Sequence, residues 1–203
     1  GNTAQNIGSQ VQFTTDGDAG GTWSSDNASA ADVNSSTGLV TAAGIGDAVI
    51  TYTKSAAPCS DATTTRTVNV TNTFLTSGSN SSWDNTSSWG GGVIPLATAA
   101  VTLNHDMTVN DNTNTLGSLT VASGKTLTVN TTKTITVSGA TDIDGTISVT
   151  GTYDANGTFD ATNGNVTINS GGKLYMASTI TDFGTLSNSG TMYFDGTTQT
   201  IPG

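Results

Sequence analysis

The C-terminal part of the chain is built from short pieces in which apolar and polar positions alternate. Glycine recurs every six residues in two runs: Gly145, Gly151 and Gly157, then Gly184, Gly190 and Gly196. In most pieces the second and fourth positions after the glycine are apolar, and Ser, Asp or Thr lies between them. Because successive side chains of a strand point to opposite faces, each piece predicts a short strand with one apolar face.

The same alternation extends on both sides of the glycine runs. The further apolar pairs are Leu119/Val121, Leu127/Val129, Ile135/Val137, Val166/Ile168 and Leu174/Met176. Short strands with one apolar face cannot bury it alone, whereas three such strands per turn bury it by coiling. We therefore predict a parallel β-helix over residues 116–203, with about four coils of roughly 18–24 residues. An antiparallel sandwich of hairpins is the alternative, although its strands would be unusually short.

The N-terminal part of the chain predicts a different all-β unit. Short apolar and polar alternations, clearest at residues 48–53 and 66–70, are bounded by clusters of Gly, Asp, Asn and Ser. This pattern is typical of short strands joined by turns, and it predicts a small antiparallel sandwich over residues 1–72.

Four motifs of this unit occur in an order known from a family: Thr22-Trp23-Ser24-Ser25-Asp26-Asn27, Ala31-Asp32-Val33-Asn34, Thr37-Gly38-Leu39-Val40-Thr41-Ala42 and Gly46-Asp47-Ala48-Val49-Ile50-Thr51-Tyr52. Over roughly residues 20–71 they resemble the bacterial Ig-like domain of group 2. The resemblance implies an Ig-like β-sandwich that serves as a stalk or spacer in surface adhesins and carries no catalytic residues. Trp23 is then expected to fill the core between the two sheets.

Residues 73–115 predict a linker and a capping segment. The stretch from Trp83 through Trp89 to Pro95 resembles the two-tryptophan opening segment that precedes β-helical regions in large surface adhesins of Bacteroidetes-type bacteria. The open end of a solenoid exposes strand edges and core, so we expect Trp83, Trp89 and Pro95 to form a solenoid cap. Stacking of the two indole rings on carbohydrate is the alternative.

Composition supports an all-β, extracellular protein. The chain contains 42 Thr and 25 Gly, and all 15 acidic residues are Asp. Thr favours strands, whereas Glu, Lys and Arg, which favour helices, are absent or scarce. The net charge of −10 argues against nucleic acid and anionic membranes as partners. The longest apolar runs are far too short to insert into a membrane.

The residues that catalysis most often uses are scarce, so we expect no enzyme. A nucleophilic triad would have to use His105, which the pattern places in a turn between two short strands. The candidates for a glycosidase pair are Asp142, Asp144, Asp154 and Asp160, which we place on outward or corner positions without flanking aromatic residues that could hold a sugar.

Two features suggest weaker interactions. Asp16-Gly17-Asp18-Ala19-Gly20 resembles the start of a calcium loop, and Asp142 and Asp144 share a strand face, so a weak structural calcium site is expected at most, with no other cofactor. Cys59 is the sole cysteine and a candidate for an intermolecular disulfide, with an idle thiol as the alternative.

These observations predict a structural and adhesive module of a secreted protein on the bacterial cell surface. It would be a stalk or repeat segment of a large adhesin, with neighbouring modules, other copies and surface glycans as partners. The alternative is a self-assembling subunit of an extracellular filament. This filament hypothesis is motivated by Cys59 and by the tail at residues 197–203, which carries no polar cap. A carbohydrate-binding or carbohydrate-cleaving β-helix is a third hypothesis.

Overall fold

The structure is a computed structural model that describes residues 2–16, 19–76, 81–90, 92–113, 115–197 and 199–200. The fold is all-β, as predicted, and the one helical segment in these residues is the 3₁₀ turn Thr86–Ser88. No described helix is therefore long and apolar enough to cross a membrane. The chain divides into two compact units, Gly1–Asn72 and Thr73–Gly203.

The N-terminal unit is a sandwich of two sheets. Its strands are β1 (Thr3–Asn6), β2 (Gln10–Gln12), β3 (Thr22–Ser25), β4 (Ala31–Val33), β5 (Leu39–Ala42), β6 (Gly46–Lys54) and β7 (Ala62–Thr71). The strand orders are β1-β7-β6-β3 and β2-β5-β4. All pairs are antiparallel except β1 with β7, which is parallel.

The apolar faces of the two sheets form the core of this sandwich. Ile50 and Val68 are fully buried, whereas Trp23 is partly buried and packs against the core. The Trp23 ring lies 4.8 Å from the Tyr52 ring and 6.3 Å from the Phe13 ring, centroid to centroid. Trp23 thus packs against the core together with two other aromatic rings.

The C-terminal unit is a parallel β-solenoid. Its strands are β8 (Thr73–Leu75), β9 (Ala100–Leu103), β10 (Met107–Val109), β11 (Ser118–Val121), β12 (Thr126–Val129), β13 (Thr134–Val137), β14 (Thr141–Ile143), β15 (Thr146–Val149), β16 (Thr152–Ala155), β17 (Phe159–Asp160), β18 (Asn165–Ile168), β19 (Lys173–Met176), β20 (Ile180–Asp182), β21 (Thr185–Asn188) and β22 (Thr191–Phe194). They form three sheets, which we call the first (β8-β9-β11-β14-β17-β20), the second (β10-β12-β15-β18-β21) and the third (β13-β16-β19-β22).

The pairing between coils confirms the predicted parallel β-helix. In the first sheet Val101 is the register partner of Leu119, and Leu119 is in turn the partner of Thr141. These separations along the chain fall within the predicted length of one coil. All strand pairs within the three sheets are parallel, which excludes the alternative of antiparallel hairpins.

The solenoid begins earlier than the predicted boundary at residue 116. Strands β8 and β9 belong to the first sheet and β10 to the second, so residues 73–115 do not form a separate linker. The stack therefore has about five turns instead of about four. Periodicity misses the first coil because its strands are separated by a long irregular segment without the glycine repeat.

The predicted inward positions form the solenoid core, except in the last coil. Ile147, Tyr153 and Phe159 are fully buried. Phe194, which the pattern places inward, is 45% exposed, and Met192 is only partly buried. These two side chains lie on β22, the last strand of the third sheet, which pairs with β19 on one side. Alternation predicts the face of a residue but not whether a coil covers it.

A buried polar pair lies inside the solenoid. The hydroxyl groups of Tyr153 and Thr141 are 3.1 Å apart and hydrogen-bond each other, and both residues are buried. Burial raises the pKa of the Tyr153 phenol far above its ordinary value. The phenol therefore stays neutral and acts as a hydrogen-bonding group.

Tyr153→Phe is expected to lower the free energy of unfolding by about 1–2 kcal/mol, because it leaves the buried Thr141 hydroxyl without this partner. The double variant Tyr153→Phe/Thr141→Val removes both polar groups and should recover much of the loss. Urea unfolding followed by circular dichroism measures both effects. Equal stability of the parent and Tyr153→Phe would contradict the expectation.

Candidate functional site

The N-terminal end of the solenoid is an incomplete first coil closed by a loop. Backbone hydrogen bonds tie this loop to the strands: the Trp83 amide donates to the Thr108 carbonyl over 2.9 Å, and the Gly90 amide donates to the Leu75 carbonyl over 2.9 Å. The ladder of strands is thus extended beyond β10 and β8 by main-chain pairing.

Trp83 and Trp89 lie in the core at this end. They are 3% and 2% exposed, and their rings meet edge to face at 4.8 Å. The Trp89 Nε1 donates to the Trp83 carbonyl over 2.9 Å, and Phe74 packs on Trp89 at 6.4 Å. Pro95 is buried as well. Rings so deeply buried have no face open to a ligand, which argues against carbohydrate stacking and leaves the capping role as our prediction.

The other end of the described solenoid is open in two of its three sheets. Strands β21 and β22 are the last strands of the second and third sheets. Their apolar residues Leu186 and Phe194 are 40% and 45% exposed. In the first sheet the Ile180 amide donates to the Thr200 carbonyl over 3.1 Å, so the chain continues beside β20. This end presents apolar side chains and strand edges together.

Cys59 lies on an exposed turn of the N-terminal unit. It is a free cysteine, and its amide donates to the Ala56 carbonyl over 2.7 Å. The thiol can therefore be reached by a second molecule, and the intermolecular disulfide stays a prediction.

Aspartates form a row on the outer face of the first sheet. Asp142, Asp160 and Asp182 are register partners on β14, β17 and β20. Partial burial raises the pKa of Asp142, and the charges of Asp144 and Asp160 raise it further. Hydrogen bonds from the Thr162 hydroxyl (2.6 Å) and amide (2.9 Å) lower the pKa of Asp160. The row includes Asp182, which was not among the predicted candidates and which only the register between coils identifies.

Asp142→Asn is expected to raise the free energy of unfolding at neutral pH by at most about 0.5 kcal/mol, because Asp142 is exposed and solvent screens its charge. Because folding raises the pKa of Asp142, its ionised form destabilises the fold, and this penalty disappears as the pH falls below the ordinary value of 3.8. Urea unfolding across pH measures the gain. A gain that persists in acid, where the Asp142 carboxyl is protonated, would contradict this origin in its ionised form.

The other candidates for metal or acid–base chemistry are scattered. No group of three or more His, Cys, Asp or Glu side chains suited to a metal lies within the described ranges. Gly17 and Asp18 of the proposed calcium loop fall outside the described residues, so weak calcium binding stays a prediction. His105 lies on an exposed bend between β9 and β10, and its ring Nδ1 is 3.4 Å from the Thr76 hydroxyl.

One expectation about the aspartates is wrong. Asp154 does have a flanking aromatic residue, because Tyr175 is its register partner on the next coil. A whole coil of chain separates the two residues, so no local motif reveals the contact.

Residues 2–65 match the family model of the bacterial Ig-like domain (group 2). The N-terminal unit is an Ig-like domain. The match confirms the resemblance and begins before residue 20, so that it includes β1 and β2 of the Ig-like domain. Searches of curated proteins and of solved structures gave no match. The description of the solenoid therefore depends on its strand pairing and core packing.

Proposed function

We propose that this chain is a structural and adhesive module of a secreted bacterial cell-surface protein, where it serves as a non-catalytic stalk or repeat segment. An Ig-like domain joined to a β-solenoid indicates a structural or adhesion-type module. The secretion, the surface location and the adhesin itself are the proposed part.

The observation that carries the proposal is the continuous pairing of coils in three sheets. Each coil is hydrogen-bonded to the next along the whole stack, as in the second sheet from Met107 through Leu127, Ile147 and Val166 to Leu186. All side chains of this row except Leu186 belong to the apolar interior. Such quasi-one-dimensional packing resists bending and shear, which is what a stalk requires.

Labelling of intact cells tests the surface location. An antibody raised against the purified chain should label unpermeabilised cells of the source bacterium, and brief protease treatment of intact cells should remove the label. A cytosolic protein serves as the control and should be labelled after lysis only. If the chain is detected only in lysed cells, the proposal is wrong.

Self-assembly is the second candidate, and exposed apolar side chains on β21 and β22 favour it. Leu186 and Phe194 lie there on the last described strands of two sheets, and a second copy could cover them by strand addition. Trp83 and Trp89 fill the first coil, so copies that join through Leu186 and Phe194 alone would close as pairs. A filament therefore needs a second joint, for which we propose a disulfide between two copies of Cys59, formed as an extracellular oxidant such as O₂ takes up the two electrons and two protons of the thiols.

Negative-stain electron microscopy with light scattering tests this candidate. A filament subunit should give long regular fibres that shorten with reductant and in Cys59→Ser. Cys59→Ser also serves as the control, because it should leave end-to-end pairs intact. A monomer of 20.3 kDa under all conditions would exclude self-assembly and leave the stalk proposal standing.

A further inference from the structure

The outer face of the third sheet carries a groove that the proposed stalk role does not require. Its volume is about 270 Å³, and Thr134, Thr152, Asp154, Tyr175 and Asp195 line it. We call it the tyrosine groove. It spans β13, β16 and β19 and the residue after β22, so that successive coils each contribute to one surface.

The Tyr175 ring that lines this groove is stacked on a second tyrosine ring. Tyr175 and Tyr193 are register partners, and their rings are nearly parallel, with an 8° angle and 4.3 Å between centroids. Each ring therefore covers one face of the other ring. Since Tyr193 lies on the following coil, the second face of Tyr175 is turned toward the preceding coil, where Asp154 is its register partner.

Hydrogen-bonding groups surround the Tyr175 ring. The Thr136 hydroxyl donates to the Asp154 carboxylate over 3.3 Å, which orients that carboxylate, and Tyr175 and Asp154 are both half-buried. Asp195 supplies a second carboxylate, and Thr134 and Thr152 place two hydroxyl-bearing side chains along the groove. Carboxylates, hydroxyls and one aromatic face thus converge on the same small volume.

We propose that the tyrosine groove binds a neutral polysaccharide. A pyranose ring has an apolar C–H face, which packs on an aromatic ring, and a rim of hydroxyls, which donate to carboxylates. The groove is slightly smaller than the roughly 300 Å³ at which pockets for drug-sized ligands begin, which suits one sugar unit of a chain that runs along the open sheet. The inference rests on the proposed adhesive role and names its ligand class.

Charge narrows the class of glycan. Two carboxylates line the groove, and the whole chain carries a net charge of −10, so acidic polysaccharides are repelled. A cationic polymer is attracted to any part of such a chain, and this attraction is screened by salt. Binding that persists at high salt therefore separates sugar recognition from simple charge attraction.

Affinity electrophoresis of the full chain in gels with dextran, mannan, xylan or galactomannan tests the proposal. Alginate serves as the acidic probe and chitosan as the cationic probe. We expect retardation by at least one neutral polymer, which Tyr175→Ala weakens about tenfold or more. Asp154→Asn, which keeps the side-chain size, should weaken it as well. Asp142→Asn on the first sheet and Thr167→Ala on the second are matched controls and should bind like the parent.

Thermal unfolding verifies that each variant is folded. If Tyr175→Ala fails to fold, the polysaccharide binding of Asp154→Asn alone decides the outcome. The proposal is overturned if no neutral polymer retards the chain, if retardation survives both groove substitutions, or if only chitosan binds and about 0.5 M salt abolishes this. Surface labelling of cells is independent of these outcomes. If the tyrosine groove binds no polysaccharide, the stalk proposal still stands. If the protein is found inside the cell, sugar binding by the purified chain can still be measured.

Discussion

Trp89→Ala is expected to lower the free energy of unfolding of the solenoid by about 3–5 kcal/mol. Trp89 is 2% exposed, packs on Trp83 and Phe74, and donates its Nε1 proton to a main-chain carbonyl, so truncation removes both contacts and a hydrogen bond. Urea unfolding followed by far-ultraviolet circular dichroism measures the loss. Leu96→Ala, further along the chain at a 38% exposed side chain, should change stability by less than about 0.5 kcal/mol.

Hydrogen exchange distinguishes a cap from an ordinary core residue. If Trp89 caps the stack, Trp89→Ala should first deprotect the amides of β8, β9 and β10 while β18 and β19 stay protected, because coils interact with their neighbours only. Phe159→Ala, in the middle of the stack, is the comparison and should deprotect central coils. Uniform loss of protection in Trp89→Ala would contradict the capping role.

Gly157→Ala is expected to destabilise the solenoid by about 3 kcal/mol. A Cβ at Gly157 would overlap the main-chain carbonyl of Gly139, and a Cβ at Gly139 would overlap the carbonyl of Gly117. The three glycines lie in one column at a corner of successive coils. Backbone is fixed there by the strand ladders on both sides and cannot move away, so only glycine fits.

Gly124→Ala is the control for this second variant. Gly124 has a positive φ of 71°, but no atom lies within 4 Å of the place that a Cβ would take, so alanine should cost only about 1 kcal/mol in backbone conformation. Both losses are measured by urea unfolding. Equal, mild effects at the two glycines would show that coils separate at the corner, and would contradict the steric argument.

Much of the architecture can be predicted from the sequence because it depends on the alternation of apolar and polar residues within short segments. Ile147, Val149 and Tyr153 point inward because every second side chain of a strand faces one side. The six-residue glycine spacing indicates pieces too short to bury an apolar face alone, and coiling follows from that. The Ig-like resemblance around Trp23 depends likewise on motifs that are contiguous in the chain.

The contacts between coils cannot be predicted from short segments of sequence, because the residues in contact lie a whole coil apart. Asp154 meets Tyr175 on the next coil, and Tyr175 meets Tyr193 on the coil after that, although the first of these steps spans more of the chain than the second. The steps differ because the corner loops differ in length. A loop longer or shorter by one residue would shift the register of the next strand and turn its side chains to the opposite face. The tyrosine groove and the aspartate row exist only through this register.

The sequence by itself determined the all-β class, the inward and outward faces of most strands and the coiled arrangement, since each depends on the period of apolar positions. Only the tertiary structure decided where the stack begins, that Trp83 and Trp89 are buried at its first coil, and that Leu186 and Phe194 are exposed on the last described strands. The physical reason is that burial and register depend on the neighbouring coil, whose position is set by loops in which alternation is absent.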